Sequence, residues 1–586
     1  MLPLHPLDDA LVSRLARELR LLPTTARCLV ARGLGDVEAA RGFLTPRLGG
    51  LRKPDGMAGF DVAAERVAAA VLRRERIAVF GDYDVDGVTT CALLTSFLRG
   101  VGADVAPRVA RRDEGYGFCV AAAEDVLAGA PRLVITGDCG TSDGDVIATV
   151  RARGVDVVVV DHHTVPAAGD VHPAFALVNP YRADSSFPFR GMASVGISFY
   201  LAAAVRTRLR AEGWFQGRPE VDPRDLLDLV ALGTIADLVP LAGENRILTT
   251  AGLKLIAERK RPGLAALLEA AGVTAAGGAG GDRPIDEQTV SWKLAPRLNA
   301  PGRLGDAAPA LELLLASGDE AMARAQALEA TNQRRREVQD RMVEEALAMV
   351  DTGADPGPAV VVASDRWAPG VVGIVAAKLV DRYQRPAFVL AVDAASGVAR
   401  GSARSAGGVD LYRALGQCAP MLERWGGHAA AAGLTLRAAD GDMGGAIDRL
   451  RDALGAAVLA EGSGKVVDRY ADAEVELGLV DDRLVDELGG MAPFGQENPA
   501  PLLVARGLEV RSSRKVGDGS HLKLEVRCPS TGAHRGAIAF GQGADDPGEG
   551  ARVDVAFTPS RSTWNGRSRV ELEVKRIALA TDAGPR

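Results

Sequence analysis

Asp82, Asp84 and Asp86 alternate with Tyr83 and Val85 between two glycines, Gly81 and Gly87, in a stretch that reads Ala-Val-Phe-Gly-Asp-Tyr-Asp-Val-Asp-Gly-Val-Thr-Thr from Ala78 to Thr90. Carboxylates two apart on extended chain share one face. Three on one face repel each other unless a cation sits between them, so the chemistry to expect is metal binding. Asp-x-Asp-x-Asp-Gly also opens an EF-hand calcium loop, but that loop follows a helix and closes on a Glu at its twelfth position. Here the preceding Ile77–Phe80 is an apolar run of strand type, and the twelfth position is Leu93. Both features exclude calcium. A solvated acidic turn is the bland alternative for this motif taken alone.

That alternative weakens as further clusters are counted. Gly137-Asp138-Cys139-Gly140 follows the apolar run Leu133–Thr136, and Asp161-His162-His163 follows Val155–Val160. Further on, Leu232-Gly-Thr-Ile-Ala-Asp237-Leu-Val-Pro-Leu241 buries an acid in an apolar frame. The chain has seven histidines, and two stand side by side at one strand end. Imidazole with carboxylate and no thiolate suits manganese, magnesium, iron or zinc, and a carboxylate-rich set leans toward manganese or magnesium. There are ligands enough for two ions, and a pair ~3.5–4 Å apart is suited to phosphoryl hydrolysis.

The elements that must position these groups alternate between strand and helix from about residue 60 to 240. Each strand candidate is a short, nearly continuous apolar run, as in a parallel sheet buried on both faces. Sites in doubly wound sheets lie beyond the carboxyl ends of the strands, and each cluster follows such an end. Residues 1–55 read as a helical arm, with apolar spacing at Leu11–Leu22 and Val37–Phe43 and no chemistry. The catalytic α/β domain takes 56–305, including a flexible glycine-rich stretch at Ala275–Gly281. A helix with few breakers, Ala307–Val350, connects it (306–352) to a second α/β module at 353–465. There Val360–Ala363 and Ala387–Val392 read as strands and Gly373–Tyr383 as a helix. Two small-residue loops follow, Gly401–Ser405 and Gly426–Gly433. From 466 to 586 the chain is β-rich, and five strands fit an OB-type barrel. The fold class expected is thus α/β: two α/β modules joined by a long helix, plus a C-terminal β-barrel.

Composition is that of a globular chain, 586 residues with 47% hydrophobic and 25% charged. No apolar run is long enough to span a bilayer. The six cysteines are scattered with no CxxC pair, which excludes structural zinc and suits a reducing, cytoplasmic compartment. Net charge is −7, but unevenly spread: Pro501–Arg586 has 14 basic and 10 acidic residues, +4 against −11 for the rest. A basic end on an acidic body is compatible with a nucleic-acid grip.

The segments Gly-Asp-Tyr-Asp-Val-Asp-Gly, Gly-Asp-Cys-Gly, Asp-His-His and Gly-Thr-Ile-Ala-Asp resemble, in order, the motifs of the DHH phosphoesterase superfamily, and the first resembles its RecJ branch. The resemblance implies that Asp84, Asp86, Asp138, His162 and Asp237 ligate two Mn²⁺ or Mg²⁺ ions, with Asp138 the bridge and Asp82 a further ligand or nearby base. It implies that His163 contacts the scissile phosphate. The stretch Ala106–Phe118 is similar to a RecJ segment in which Arg111 contacts phosphate, and Pro296–Gly305 to another in which Arg303 does. The second module resembles the DHHA1 domain, which would set Ser402, Arg404 and His428 across a cleft from the metals. This chain has Ala368 near Trp367 where RecJ-like chains often have a histidine. Pro493–Pro499 resembles the RecJ entry to the barrel, on which Arg561, Trp564 and Arg567 would grip nucleic acid. The function implied is single-stranded-DNA-specific 5′→3′ exonuclease action releasing mononucleotides, in DNA repair and recombination. Single-stranded DNA would be the partner, with a helicase and a single-strand-binding protein in the same work, no membrane, and the chain acting as a monomer. A DHH phosphoesterase of short oligonucleotides or cyclic dinucleotides, and a catalytically silent DNA-binding scaffold, are the alternatives.

Overall fold

Three helices open the chain: α1 (Asp9–Leu19), α2 (Pro23–Ala31) and α3 (Val37–Leu44). Asp8 and Asp36 cap α1 and α3 by accepting from the N–H groups of Ala10 and Ala39. Pro23 opens α2, where its missing N–H would be unpaired anyway. The arm expected at 1–55 packs against the far end of the chain. Val12, Leu15, Ala26, Leu29 and Ala40 share one core with Leu503, Leu524 and Phe557 of the C-terminal strands. A part-buried Arg32–Asp472 ion pair, 2.8 Å, pins the same contact. Helices this short cannot bury an apolar stripe by themselves, and the barrel supplies the other half. The computed structural model describes residues 2–115, 117–165, 171–274, 284–351, 355–438, 441–462, 470–564 and 567–580.

The first sheet is wholly parallel: β1 (Ile77–Gly81), β2 (Val105–Val109), β3 (Leu133–Gly137), β4 (Asp156–Val160) and β5 (Ala176–Val178), in the order β2-β1-β3-β4-β5. Alternate residues enter opposite layers. Ile77, Val79, Leu133, Ile135, Val158 and Val160 join one core, and Ala78, Phe80, Val134, Val157 and Val159 the other. The first core is completed by α4 (Val85–Gly100), α5 (Ser194–Ala211), α6 (Leu227–Ala236) and α7 (Gly243–Glu258). Strand order reverses between β1 and β3, so the crevice where such sheets bind ligands opens at their carboxyl ends.

Helix α8 (Ala295–Leu304) leads out of this domain and α9 (Glu320–Val350) into the next. The helix expected over Ala307–Val350, with few breakers, is in fact two. A short one, Ala308–Leu315, ends where Ala316 turns extended and Gly318 takes φ +51°, and α9 starts after it. The second sheet holds β6 (Val360–Ser364), β7 (Ala387–Asp393), β8 (Val398–Arg404), β9 (Arg424–Gly427) and β10 (Ala431–Arg437), ordered β6-β7-β8-β10-β9 with only β6 and β7 parallel. The two small-residue stretches expected as loops are therefore largely strand. Ser402 faces Gly433 and Arg404 faces Ala431. A Cβ on Gly401 would come within 3.0 Å of Leu390 and 3.1 Å of Leu434, so this glycine answers to packing across the sheet and not to a turn.

The C-terminal sheet contains β11 (Ala473–Glu474), β12 (Leu503–Val516), β13 (His521–Arg527), β14 (His534–Ala539), β15 (Arg552–Trp564) and β16 (Arg567–Leu579). Pairing of β12 with β15 closes the five long strands into a barrel, as expected of an OB-type module. The glycine-rich stretch 275–281 lies outside the described residues. Among the described residues, no helix is long and apolar enough to cross a membrane.

Candidate metal centre

The first acidic motif is not extended throughout, as its alternation suggested. Only Asp82 continues from β1. Asp84 caps α4 by accepting from Gly87 N–H at 3.1 Å, and Asp86 lies in the first turn of that helix. Gly87 allows the fold-back, since a Cβ there would lie 2.4 Å from the Asp82 nitrogen. The acids still converge. Asp82 is 2% exposed, Asp86 1% and Asp138 1%.

Asp138 follows β3 with φ +64°, a strained conformation for a residue with a Cβ. The amino end of α5 holds two of the acids in place. Ser194 and Val195 N–H groups donate to Asp86 at 2.7 and 3.0 Å, and Ser194 Oγ lies 3.2 Å from Asp138 Oδ1. Asp237 caps the carboxyl end of α6. Gly233, one turn earlier, has no room for a side chain: a Cβ would lie 2.3 Å from Thr89 Oγ1 and 3.0 Å from Asp86 Oδ1. His162 Nε2 stands 3.3 Å from Asp138 Oδ1, 3.3 Å from Asp237 Oδ2 and 3.9 Å from Asp86 Oδ2.

The electrostatics are those of a site awaiting positive charge. Burial, then the Asp84 charge, pushes Asp82 up to about 8 and Asp86 up to about 7. Burial and the neighbouring acids raise Asp138 and Asp237 well above the carboxylate range. Burial and the His163 charge lower His162 to about 4, so its ring is neutral and free to ligate. Asp82 Oδ1, His162 Nε2 and Asp237 Oδ2 are buried without a hydrogen-bond partner. Buried polar atoms rarely go unpaired, and two of these, His162 Nε2 and Asp237 Oδ2, stand 3.3 Å apart. Three overlapping sets place ligand atoms within 4.8 Å of one another: Asp82, Asp84 and Asp138; Asp86, His162 and Asp237; Asp138, His162 and His163. Hard carboxylate oxygens with one imidazole fit two divalent cations of the Mn²⁺ or Mg²⁺ kind.

Asp161 was not singled out beforehand, yet it organises the imidazoles. Its carboxylate accepts from the backbone N–H groups of His162, His163 and Thr141, and lies 2.7 Å from His163 Nδ1. Burial alone would raise Asp161, but the hydrogen bond and charge of His163 outweigh it and hold the carboxyl below its usual range. In return, and against its own burial, His163 is pushed up to about 9. Asn179, fully buried, donates to the His163 carbonyl at 2.8 Å and to Thr141 Oγ1 at 3.0 Å. An acid directly before two histidines was the signal available in the sequence.

The arginines divide. Arg111 turns outward to Asp113, with contacts of 3.2 and 3.0 Å. Its neighbour Arg112 lies 4.2 Å over the Tyr83 ring and donates to the Gly302 carbonyl. Arg303, in the last turn of α8, donates to the Gly370 carbonyl at 3.2 Å. Burial and the charges of Arg112, Arg335 and Arg404 lower it to about 10, so it stays charged at neutral pH. Ser402 and Arg404 lie together on β8, with Ser402 Oγ 3.4 Å and the Arg404 guanidinium 3.2 Å from where a Gly373 Cβ would sit. Arg404 is lowered by burial. His428 is exposed at the β9–β10 turn, and its charge is among those holding His162 down. Arg112, Arg303 and Arg404 form no ion pair with a carboxylate among the described residues. On the barrel, Arg561 is engaged by Asp482 at 3.1 Å and Asp486 at 2.6 Å. The side chains of Trp564 and Arg567 lie outside the described residues.

Residues 76–234 match the model of the DHH family N-terminal domain, 357–460 the DHHA1 domain and 471–576 the RecJ OB domain. The single-stranded-DNA-specific exonuclease RecJ of Bacillus subtilis is 35% identical over 583 residues, covering 98% of this chain and 70% of that protein. The protein of the same name from Escherichia coli is 33% identical over 583 residues, covering 95% and 92%. The crystal structure of RecJ in complex with Mn²⁺ from Thermus thermophilus superposes with a TM-score of 0.80 at 29% identity, covering all of this chain and 80% of that one. On these grounds the chain belongs to the RecJ family.

Proposed function

We propose that this protein is a metal-dependent, single-stranded-DNA-specific 5′→3′ exonuclease that releases mononucleotides. The observation that carries the reading is the convergence of Asp82, Asp84, Asp86, Asp138 and Asp237 on the neutral ring of His162, with no lysine or arginine paired to these acids among the described residues. Relatives over nearly the whole chain bear the name of that activity. When bound, two divalent cations would supply Lewis-acid activation of a water and neutralise charge at the scissile phosphate. Asp82, Asp84 and Asp138 would hold one of them, Asp86, His162 and Asp237 the other, with Asp138 next to both.

The chain's own groups do the rest. His163, charged at neutral pH and fixed at Nδ1 by Asp161, presents Nε2–H to a non-bridging phosphate oxygen, where negative charge builds in the transition state. Arg303 and Arg404, without carboxylate partners among the described residues, retain donors beyond their backbone bonds for phosphates. With Ser402 they would hold the 5′ phosphate and set polarity. The barrel extends the grip along the strand, which a substrate of one or two nucleotides does not need. We place the protein in the cytoplasm, in keeping with its six free cysteines, and working as a monomer on strands opened by a helicase and covered by single-strand-binding protein.

The test is a side-by-side digestion of 5′-labelled and 3′-labelled single strands in Mn²⁺. Immediate release of labelled mononucleotide from the 5′-labelled strand, with stepwise shortening of the other, is expected. Cleavage restricted to the shortest oligonucleotides would instead identify a small-substrate phosphoesterase.

A further inference from the structure

The first turn of α7 carries three consecutive polar residues that are all buried: Glu244 at 1% exposure, Asn245 at 0% and Arg246 at 3%. Neighbours on a helix diverge by about 100°, so the three reach in different directions. Glu244 pairs with Arg52 at 3.2 Å. The other two connect the metal centre to the far domains.

Asn245 Nδ2 donates to the Gly191 carbonyl at 2.6 Å and to the Pro240 carbonyl at 2.9 Å. Gly191 stands three residues before Ser194, whose N–H and hydroxyl hold Asp86 and Asp138. Pro240 stands three residues after Asp237. One side-chain amide thus spans the segment that fixes two ligands and the segment that carries a third. A carboxylate of the same shape would set oxygen against two carbonyl oxygens.

Arg246 reaches the other way. It donates to the carbonyls of Met491 at 2.8 Å, Phe43 at 3.0 Å and Gly490 at 3.4 Å, and its guanidinium lies 3.8 Å over the Phe43 ring. Phe43 is in the last turn of α3, and Gly490 and Met491 follow the helix Asp482–Gly489. Carbonyls at helix carboxyl ends carry partial negative charge, which is what a buried cation without a carboxylate requires. Leu241 N–H also donates to the Gln496 carbonyl at 2.9 Å, tying the Asp237 loop directly to the entry of the barrel.

We infer that Asn245 is a positioning residue for the metal centre, and that through Arg246 the seating of the N-terminal helices and the barrel sets the distance of Asp237 from Asp86 and His162. The effect is one-sided. The set Asp82, Asp84 and Asp138 shares only the Ser194 hydroxyl with this linkage, whereas the set Asp86, His162 and Asp237 depends on both segments that Asn245 joins.

The inference rests on the metal-centre reading, and the test keeps the two apart. Mn²⁺ binding to full-length protein is followed by the loss of the free-ion electron paramagnetic resonance signal, alongside steady-state kinetics on single-stranded DNA. Wild type is expected to bind two ions. Asn245→Asp is expected to keep one at wild-type affinity and weaken the other by ~10–100-fold, with kcat lowered and KM for DNA within about twofold. Arg246→Met, which keeps the apolar stem and severs the carbonyl links, is expected to weaken the same ion by a smaller factor. Two wild-type affinities in both variants, or equal weakening of both ions, overturns the inference. No Mn²⁺ binding by wild type overturns the metal-centre reading itself. Should Asn245→Asp fail to fold, Arg246→Met decides the matter by the same criterion.

Discussion

The catalytic crevice and the barrel surface both carry clustered charge, and they treat it in opposite ways. In the crevice, Asp82, Asp86 and Asp138 are buried and Asp237 part-buried, their acidities are depressed, and among the described residues no lysine or arginine pairs with them. Arg303 and Arg404, by contrast with the barrel arginines, are left to backbone carbonyls. On the barrel, Arg561 is claimed by Asp482 and Asp486, and Arg506 by Glu474 and Asp554. Charge that is satisfied within the chain reports structure. Charge left uncompensated at a cost to stability reports a ligand, because burying an unpaired carboxylate is unfavourable by several kcal/mol. Exposed pairs such as Arg561–Asp486 are worth under ~1 kcal/mol.

The contrast is broken most severely at Asp138. Asp138→Ala should lower turnover in Mn²⁺ by ~10³-fold or more while the circular dichroism spectrum stays that of wild type; retained turnover would deny it a bridging place. Asp161→Asn comes next. His163 would lose the partner that pushes it to about 9 and fall toward its ordinary value, so activity near neutral pH should drop by ~10–100-fold and recover in part as the pH is lowered. A pH profile parallel to wild type would contradict the role given to His163.

Arg404→Ala should reduce preference for a 5′-phosphorylated end by ~10-fold, the scale of a charge-assisted hydrogen bond, and general strand binding less. Arg561→Ala probes the other side of the comparison. Its guanidinium is already engaged, so DNA affinity should change by less than about threefold, against the expectation drawn from sequence. A large loss, steeper at low salt, would return it to the DNA-binding surface.

The metal-free protein offers a subtler check. Asp82 at about 8 and Asp86 at about 7 sit above their unfolded values, so the folded state holds more protons and loses stability as pH rises through that range. The stability that His163 gains from its raised value is likewise lost as pH rises through about 9. All three act in one direction. The melting temperature without metal should fall between about pH 6 and pH 9, and excess Mn²⁺ should flatten that fall. A rising profile would mean that the acids are not the buried cluster described.

Much of this is legible in the amino-acid sequence. Buried parallel strands read as plain apolar runs, so β1, β3 and β4 were found with their acids at the correct ends. β2 and β5 escaped because Val105–Val109 contains a proline and an arginine at the sheet edge, and Ala176–Val178 is three residues long. The DHHA1 glycine stretches read as loops because pattern alone cannot tell a glycine that turns from one that packs, as Gly401 does. The union of α1–α3 with the barrel left no local trace, being a contact between the two ends of the chain. Asn179 and Asn245 act through hydrogen bonds to backbone carbonyls, which residue type and spacing do not reveal, whereas Asp161 stood in plain view before the two histidines.

The central claim is that acids and an imidazole from four separate strand and helix ends form one cage for two cations. Anomalous diffraction from crystals soaked in manganese addresses it directly. Two peaks flanking Asp138, one among Asp82 and Asp84 and one among Asp86, His162 and Asp237, are expected. A crevice without manganese, or a lone ion that leaves His162 and Asp237 turned aside, would contradict it.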